Sequence, residues 1–299
     1  MTGYEKLEAW FPCGGVDCHG ILYKPAGEGP FPGLVMGMGF GMVKEAHSDD
    51  YGPVFAEKGV AVLAFDYRRF GRSKGEPRQA LYPEDQVADY RCAVSYMQDL
   101  DFIDGDSICI WGTSFSGGHV FTLLAFPQPG VRCGIAQVPN VYSYRTALTY
   151  FGSLEPVMLL AEQGRKPCCR GEPAYIPIVS REGPSVIMTA EAYEYYSEVA
   201  EKIPWFENRV TLDSIERVLA YNPGDYAHLI NKPLLVILAE RDKTTPPSLA
   251  REVIERIPGK VDVKSYDVGH FDIYKPPLIR EIAELEAEWA RKTLLGGTN

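Results

Sequence analysis

The feature that most constrains this chain is a short mid-chain stretch, Gly112-Thr113-Ser114-Phe115-Ser116-Gly117-Gly118. It follows the apolar run Ser107 to Trp111 and precedes an apolar stretch, His119 to Phe126, of helical length. A strand that reverses into a helix across such a segment holds the central serine in a strained backbone conformation, with its hydroxyl clear of the sheet edge. Small neighbours are needed there because strand and helix approach closely. The pattern is G-x-S-x-G with Ser116 at the second glycine, and Gly117-Gly118 add backbone freedom. The competing reading is a glycine-rich strand-to-helix turn carrying an incidental serine, as in a phosphate-binding loop.

The flanking chain alternates strands and helices. Strands are expected at Leu7 to Phe11, Cys18 to Lys24, Gly33 to Met38 and Val60 to Asp66, and again at Ser107 to Trp111 and Val131 to Val138. Two more follow at Pro233 to Ala239 and Val261 to Tyr266. Helices are expected at Asp49 to Lys58 and Glu84 to Met97, near Ser248 to Ile257, and from Pro277 to Leu294; in the second, Val87, Tyr90, Val94 and Met97 recur at helical spacing. Several strands are continuous apolar runs, which predicts a mostly parallel eight-stranded α/β sheet covered by helices on both faces. The alternation lapses between Asn140 and Tyr226, where no clear strand run occurs. The expected organisation is therefore a core of residues 1–139 and 227–299, with 140–226 as a helical cap insertion across the strand ends where ligands bind in open α/β sheets. That segment holds 12 aromatics in 87 residues, hardly above the chain's 12%, so composition alone does not establish a lipophilic pocket.

With 299 residues the chain suits one large α/β domain, or one domain carrying an insertion. A net charge of −10 disfavours nucleic acid and anionic membrane surfaces as partners, because both need a basic footprint. No segment is long enough to cross a bilayer, and Met1 to Lys6 contains no apolar signal region. A cytoplasmic enzyme acting on a small molecule is the expectation, with a homodimer left open. The seven cysteines show no C-x-x-C pair and no zinc-like spacing, so no metal is expected. Cys109 and Cys133 read as small core hydrophobes. Cys13 and Cys18 flank the hairpin turn and could face each other, and Cys168-Cys169 are adjacent. Reduced thiols are the expectation for all of them.

A serine hydroxyl is a weak nucleophile at neutral pH and needs a base, usually a histidine held by a carboxylate. Five histidines are available. His19 lies in the hairpin, His119 in the helix after Ser114, His47 after the third strand, and His228 in the connection back into the sheet. His270 follows a late strand in Val268-Gly269-His270-Phe271-Asp272, where it can reach over the sheet edge. Asp242 occupies the matching position after Leu234 to Ala239. The order Ser114, Asp242, His270 is that of a hydrolytic triad. The oxyanion formed at an attacked carbonyl needs preorganised donors. The amide of Phe115 supplies one, and Met36-Gly37-Met38-Gly39-Phe40-Gly41 offers the amide of Phe40 as the second.

On these residues the chain resembles the α/β-hydrolase superfamily along nearly its whole length. Phe65-Asp66-Tyr67-Arg68-Arg69-Phe70-Gly71-Arg72-Ser73 resembles the D-x-R-G-x-G-x-S segment of that family, with Arg69 replacing the first glycine. Trp111 to His119 is similar to the dienelactone-hydrolase-like branch, which includes bacterial esterases and fungal polyketide-pathway hydrolases and acyltransferases. Where such proteins often carry His-Gly before the oxyanion residue, this chain has Met38-Gly39. The resemblance implies the fold, the triad and a cofactor-independent reaction. The expected activity is hydrolysis of a carboxylic ester or thioester through an acyl-serine. Acyl transfer to an alcohol or amine through the same intermediate is the alternative, and a non-catalytic binding protein on the same scaffold is a third reading.

Overall fold

Two long strands open the chain, β1 (Tyr4–Cys13) and β2 (Val16–Pro25), an antiparallel hairpin turned at Gly14-Gly15. The computed structural model describes residues 3–296. The chain continues through β3 (Phe31–Gly37), α1 (Ser48–Glu57), β4 (Ala61–Phe65), α2 (Pro83–Gln98), β5 (Ile103–Thr113), α3 (Phe115–Ala125) and β6 (Val131–Gln137). After a long intervening segment come β9 (Leu234–Ala239), α8 (Pro247–Ile254), β10 (Val261–Tyr266) and α9 (Leu278–Leu295). Between β6 and β9 lie α4 (Ser143–Phe151), α5 (Glu155–Cys169), β7 (Tyr175–Ile176), α6 (Ala190–Lys202), β8 (Val210–Thr211) and α7 (Ser214–Ala220).

The main sheet has eight strands in the order β1-β2-β4-β3-β5-β6-β9-β10. The first two pairings are antiparallel and all others parallel. Every residue of β4 and of β9 is buried, which is why these strands read as unbroken apolar runs rather than alternating ones. The outer strands β1 and β10 are largely exposed. Among the buried positions of α9 are Ile279, Ile282, Ala283, Glu286, Ala287, Ala290 and Leu294, a helical stripe against the sheet with one carboxylate in it.

Four expectations differ from the structure. Helix α3 begins at Phe115 rather than His119, because the turn at Ser114 passes directly into the helix and takes Gly117 and Gly118 into its first turn. The segment 140–226 contains a two-stranded sheet, with Tyr175 opposite Thr211 and Ile176 opposite Val210. Two residues are too few to carry a period. Cys13 does not face Cys18: the hairpin register sets Cys13 against Val16 and Cys18 against Phe11. Instead Cys13 forms a disulfide with Cys92 of α2 across a Cα separation of 5.7 Å, so the expectation of reduced thiols fails for this pair. Cys18, Cys109, Cys133, Cys168 and Cys169 are free.

Candidate active site

Parallel strands end at one edge of the sheet, and the loops leaving β3, β5, β9 and β10 there carry the candidate residues. Ser114 sits between β5 and α3 with φ 55° and ψ −116°, a conformation costly for any residue with a Cβ. It is pinned from both sides. Its amide donates to the Gln137 carbonyl (2.8 Å) and its own carbonyl accepts from Asn140 N–H (2.9 Å). A Cβ on Gly112 would lie 2.2 Å from the Ser116 carbonyl oxygen, so the turn admits only glycine there.

His270 Nε2 lies 3.0 Å from Ser114 Oγ, and His270 Nδ1 lies 2.6 Å from Asp242 Oδ2. Both His270 and Asp242 are buried. The carboxylate is held in turn: Oδ1 accepts from the amides of Thr244 and Thr245 (both 2.7 Å). Thr245 Oγ1 sits 2.9 Å from Oδ2 and 3.2 Å from His270 Nδ1. The structure thus gathers Ser114, Asp242 and His270 into one hydrogen-bonded line, and adds Thr245, to which the sequence reading gave no role.

Phe40 and Phe115 line the same cavity as Ser114, their rings packed edge to face with centroids 5.5 Å apart. Phe115 is the first residue of α3, where backbone N–H groups have no intrahelical partner. Phe40 N–H likewise donates to no group among the described residues. The two amides are therefore free to receive an oxygen.

The remaining histidines have other surroundings. His119 is buried behind Phe115, with Nε2 2.9 Å from Gln86 Oε1 and Nδ1 2.8 Å from the Tyr221 hydroxyl, and burial drives its pKa down to about 3. His19 is buried against Trp10 with its pKa lowered to about 4, again mainly by burial. His228 is exposed. His47 lines a cavity together with Ser114 and His270: its Nε2 is 2.6 Å from the Tyr195 hydroxyl, and its ring stacks on Tyr274.

Two cavities meet at Ser114. The larger runs beneath the 140–226 segment and is lined by Phe40, Phe115, Ala147, Phe151, Val157, Leu160, Ile187, Ile215 and Val218, among others. No charged side chain lines it. The smaller lies on the imidazole side and is bounded by Met38, Met42, His47, Tyr195, His270 and Phe271.

Below the serine turn, Glu286 of α9 is completely buried. Its carboxyl accepts from Trp111 Nε1–H and from Gln137 Nε2–H, both at 2.8 Å. Burial pushes its pKa up to about 8, and the two donors offset this only in part. Among the described residues there is no cluster of side chains able to hold a metal ion, and no helix is long and apolar enough to cross a membrane.

The chain belongs to the alpha/beta hydrolase family, whose profile matches residues 34–281. It is 30% identical over 271 residues to the quorum-quenching protein AidA of Acinetobacter baumannii, covering 90% of this chain and 88% of that one. It is 30% identical over 299 residues to the polyketide transferase af380 of Aspergillus fumigatus, covering 97% and 99%. The alpha/beta hydrolase GrgF from a Penicillium species superposes with a TM-score of 0.83 at 24% identity, over 97% of this chain and 99% of that one, and shares the fold. Other relatives and neighbours are named as acyltransferases, thiohydrolases and esterases.

Proposed function

We propose that the protein is a serine hydrolase that cleaves a carboxylic ester or thioester of a small molecule through an acyl-enzyme, without a cofactor. The observation that carries this reading is the line from Ser114 Oγ to His270 Nε2 (3.0 Å) and from His270 Nδ1 to Asp242 (2.6 Å), at the junction of two cavities. The Asp242 carboxylate accepts a hydrogen bond from Nδ1–H, which keeps the proton on Nδ1 and leaves the Nε2 lone pair facing the Ser114 hydroxyl. Ser114 Oγ attacks the carbonyl carbon as His270 Nε2 takes its proton. The negative charge that develops on the carbonyl oxygen is received by the Phe40 and Phe115 amides. Collapse breaks the bond to the leaving group, which departs with the proton from Nε2. Water then repeats the sequence and releases the acid.

The two cavities divide the substrate. His270 must protonate the leaving group, so that part occupies the smaller cavity on the imidazole side, and the acyl part fills the larger one. The uncharged lining of the larger cavity suits a neutral, apolar acyl group. In this reading residues 140–226 act as a cap that sets acyl preference. Acyl transfer is the second reading, supported by the likeness to the polyketide transferase over nearly both full lengths. There an alcohol or amine replaces water in the second half-reaction.

The test is labelling with a fluorophosphonate, together with turnover of short p-nitrophenyl esters. The wild type should label at Ser114, and Ser114→Ala should neither label nor turn over while remaining folded. Retained turnover in purified Ser114→Ala refutes the mechanism. Product analysis with acceptor alcohols present separates the two readings, since hydrolysis gives the free acid alone.

A further inference from the structure

We propose that Ser116, at the usual second glycine of the serine turn, is a positioning residue whose hydroxyl fixes the Met38–Phe40 main chain and so aims the Phe40 amide at the reacting oxygen. The inference rests on the acyl-enzyme reading above.

A glycine at this position offers no side chain. Ser116 is fully buried, and its Oγ–H donates to the Met38 carbonyl, two residues before the Phe40 amide. A hydroxyl has one proton to give. The Tyr67 hydroxyl, 2.5 Å from Ser116 Oγ, must therefore be the donor in that contact. Burial keeps the Tyr67 phenol protonated, with its pKa well above the ordinary phenol value. Tyr67 thus passes one hydrogen bond to Ser116, and Ser116 passes one to the loop.

The two following carbonyls are also held. The Gly39 carbonyl accepts from Met42 N–H (3.1 Å), and the Phe40 carbonyl accepts from the Tyr196 hydroxyl of α6 (2.8 Å). In a planar trans peptide the C=O and N–H point in opposite directions. Turning the Gly39 oxygen towards Met42 therefore turns the Phe40 N–H away from it. Gly39 itself lies against the nucleophile, since a Cβ built on it would be 3.2 Å from Ser114 Cβ. Three consecutive carbonyls are thereby fixed, and Ser116 supplies the first anchor. Removing its hydroxyl takes this donor from the Met38 carbonyl and this acceptor from the Tyr67 O–H in a dry interior, and the loop shifts to satisfy its carbonyl.

The experiment compares wild type, Ser116→Ala and Tyr67→Phe on a short p-nitrophenyl ester. It adds affinities for two ketones with the same acyl group: a trifluoromethyl ketone, which forms a tetrahedral oxyanion on Ser114, and the planar methyl ketone, which does not. Losing an oxyanion donor outright costs about 10²–10³ in kcat. A donor that is misaimed but present should cost less, about tenfold for Ser116→Ala with KM within about twofold. The trifluoromethyl ketone should weaken by the same factor while the methyl ketone binds unchanged. Tyr67→Phe should show a smaller loss with the same split, and it stands as the test should Ser116→Ala fail to fold. Folded variants that keep kcat and trifluoromethyl ketone affinity overturn the proposal, as does an equal loss for both ketones. A wild-type protein that forms no serine adduct removes the acyl-enzyme reading itself, and this inference with it.

Discussion

Thr245 stands beside His270 with its Oγ1 3.2 Å from Nδ1, while the same oxygen lies 2.9 Å from both Asp242 Oδ2 and the Val138 carbonyl. The hydroxyl's single proton serves two acceptors, the carboxylate and the carbonyl of a residue whose main chain is itself unusual. Val138 adopts φ 36°, a conformation that β-branched residues avoid. Thr245→Val keeps the shape and removes only the hydroxyl, and with it one hydrogen bond to a charged carboxylate. Such a bond contributes about 1.5–3 kcal/mol. Only part of it bears on the imidazole, so kcat/KM for ester hydrolysis should fall about three- to tenfold without loss of fold. A variant with wild-type kcat/KM would assign Thr245 to packing alone.

Glu286 makes stability depend on pH in the direction opposite to most carboxylates. Its folded pKa, about 8, lies above its ordinary value of 4.5. Between those values the folded protein keeps a proton that the unfolded chain has lost. Stability therefore falls as pH rises through this window and levels off above it, by an amount on the order of a few kcal/mol. Glu286→Gln should be close to neutral at pH 5 and stabilising at pH 9. Melting temperatures of both proteins at the two pH values check this, and a difference that does not widen with pH counts against it.

The larger cavity makes an acyl-length prediction. Ala147 of α4 lines it, and a tryptophan there fills space that a long acyl chain would need. Ala147→Trp should lower kcat/KM for p-nitrophenyl octanoate by about tenfold or more and leave the acetate within about twofold, since each methylene in an apolar pocket counts for about 1–3 kcal/mol. Equal losses on both esters would place the acyl chain elsewhere.

The Cys13–Cys92 bond closes a long loop, with 79 positions separating the two cysteines. Cross-links of this kind contribute about 2–4 kcal/mol by restricting the unfolded chain. Reductant should lower the wild-type melting temperature and leave Cys92→Ser unaffected. Thiol titration of the unfolded, unreduced protein should find the five free cysteines. A count of seven would mean the bond does not form. Disulfides persist in oxidising surroundings, so this bond and the expectation of a cytoplasmic enzyme pull in opposite directions.

The eight strands of the main sheet were legible because parallel, doubly covered strands such as Ala61–Phe65 and Leu234–Ala239 are unbroken apolar runs between turn residues. Ser114, Asp242 and His270 were legible as candidates because each follows a strand, although the one before His270 is largely exposed and polar. Their convergence was an expectation from chain order and family resemblance, since spacing alone cannot bring together residues as far apart as Ser114 and His270, 156 positions. Glu286 was invisible for a related reason. In α9 it is flanked by Glu284 and Glu288, which pair with Arg280 and Arg291 at the surface, and only the fold distinguishes it from them. Its partner Trp111 lies 175 positions away. Arg69, noted in sequence as replacing a glycine, adopts φ 73°, the left-handed conformation glycine would favour, and Asp85 pairs with its guanidinium. Cys92 carried no signal because a helical cysteine reads as a small apolar residue.

The hydrogen bond from Tyr196 to the Phe40 carbonyl joins two parts of the molecule with different duties. One belongs to α6, which borders the smaller cavity, the other to the loop after β3 whose Phe40 amide is proposed as an oxyanion donor. A side chain in the wall of the smaller cavity thus holds the main chain beside the serine, so the surface a ligand would touch and the loop next to the triad form one mechanical unit.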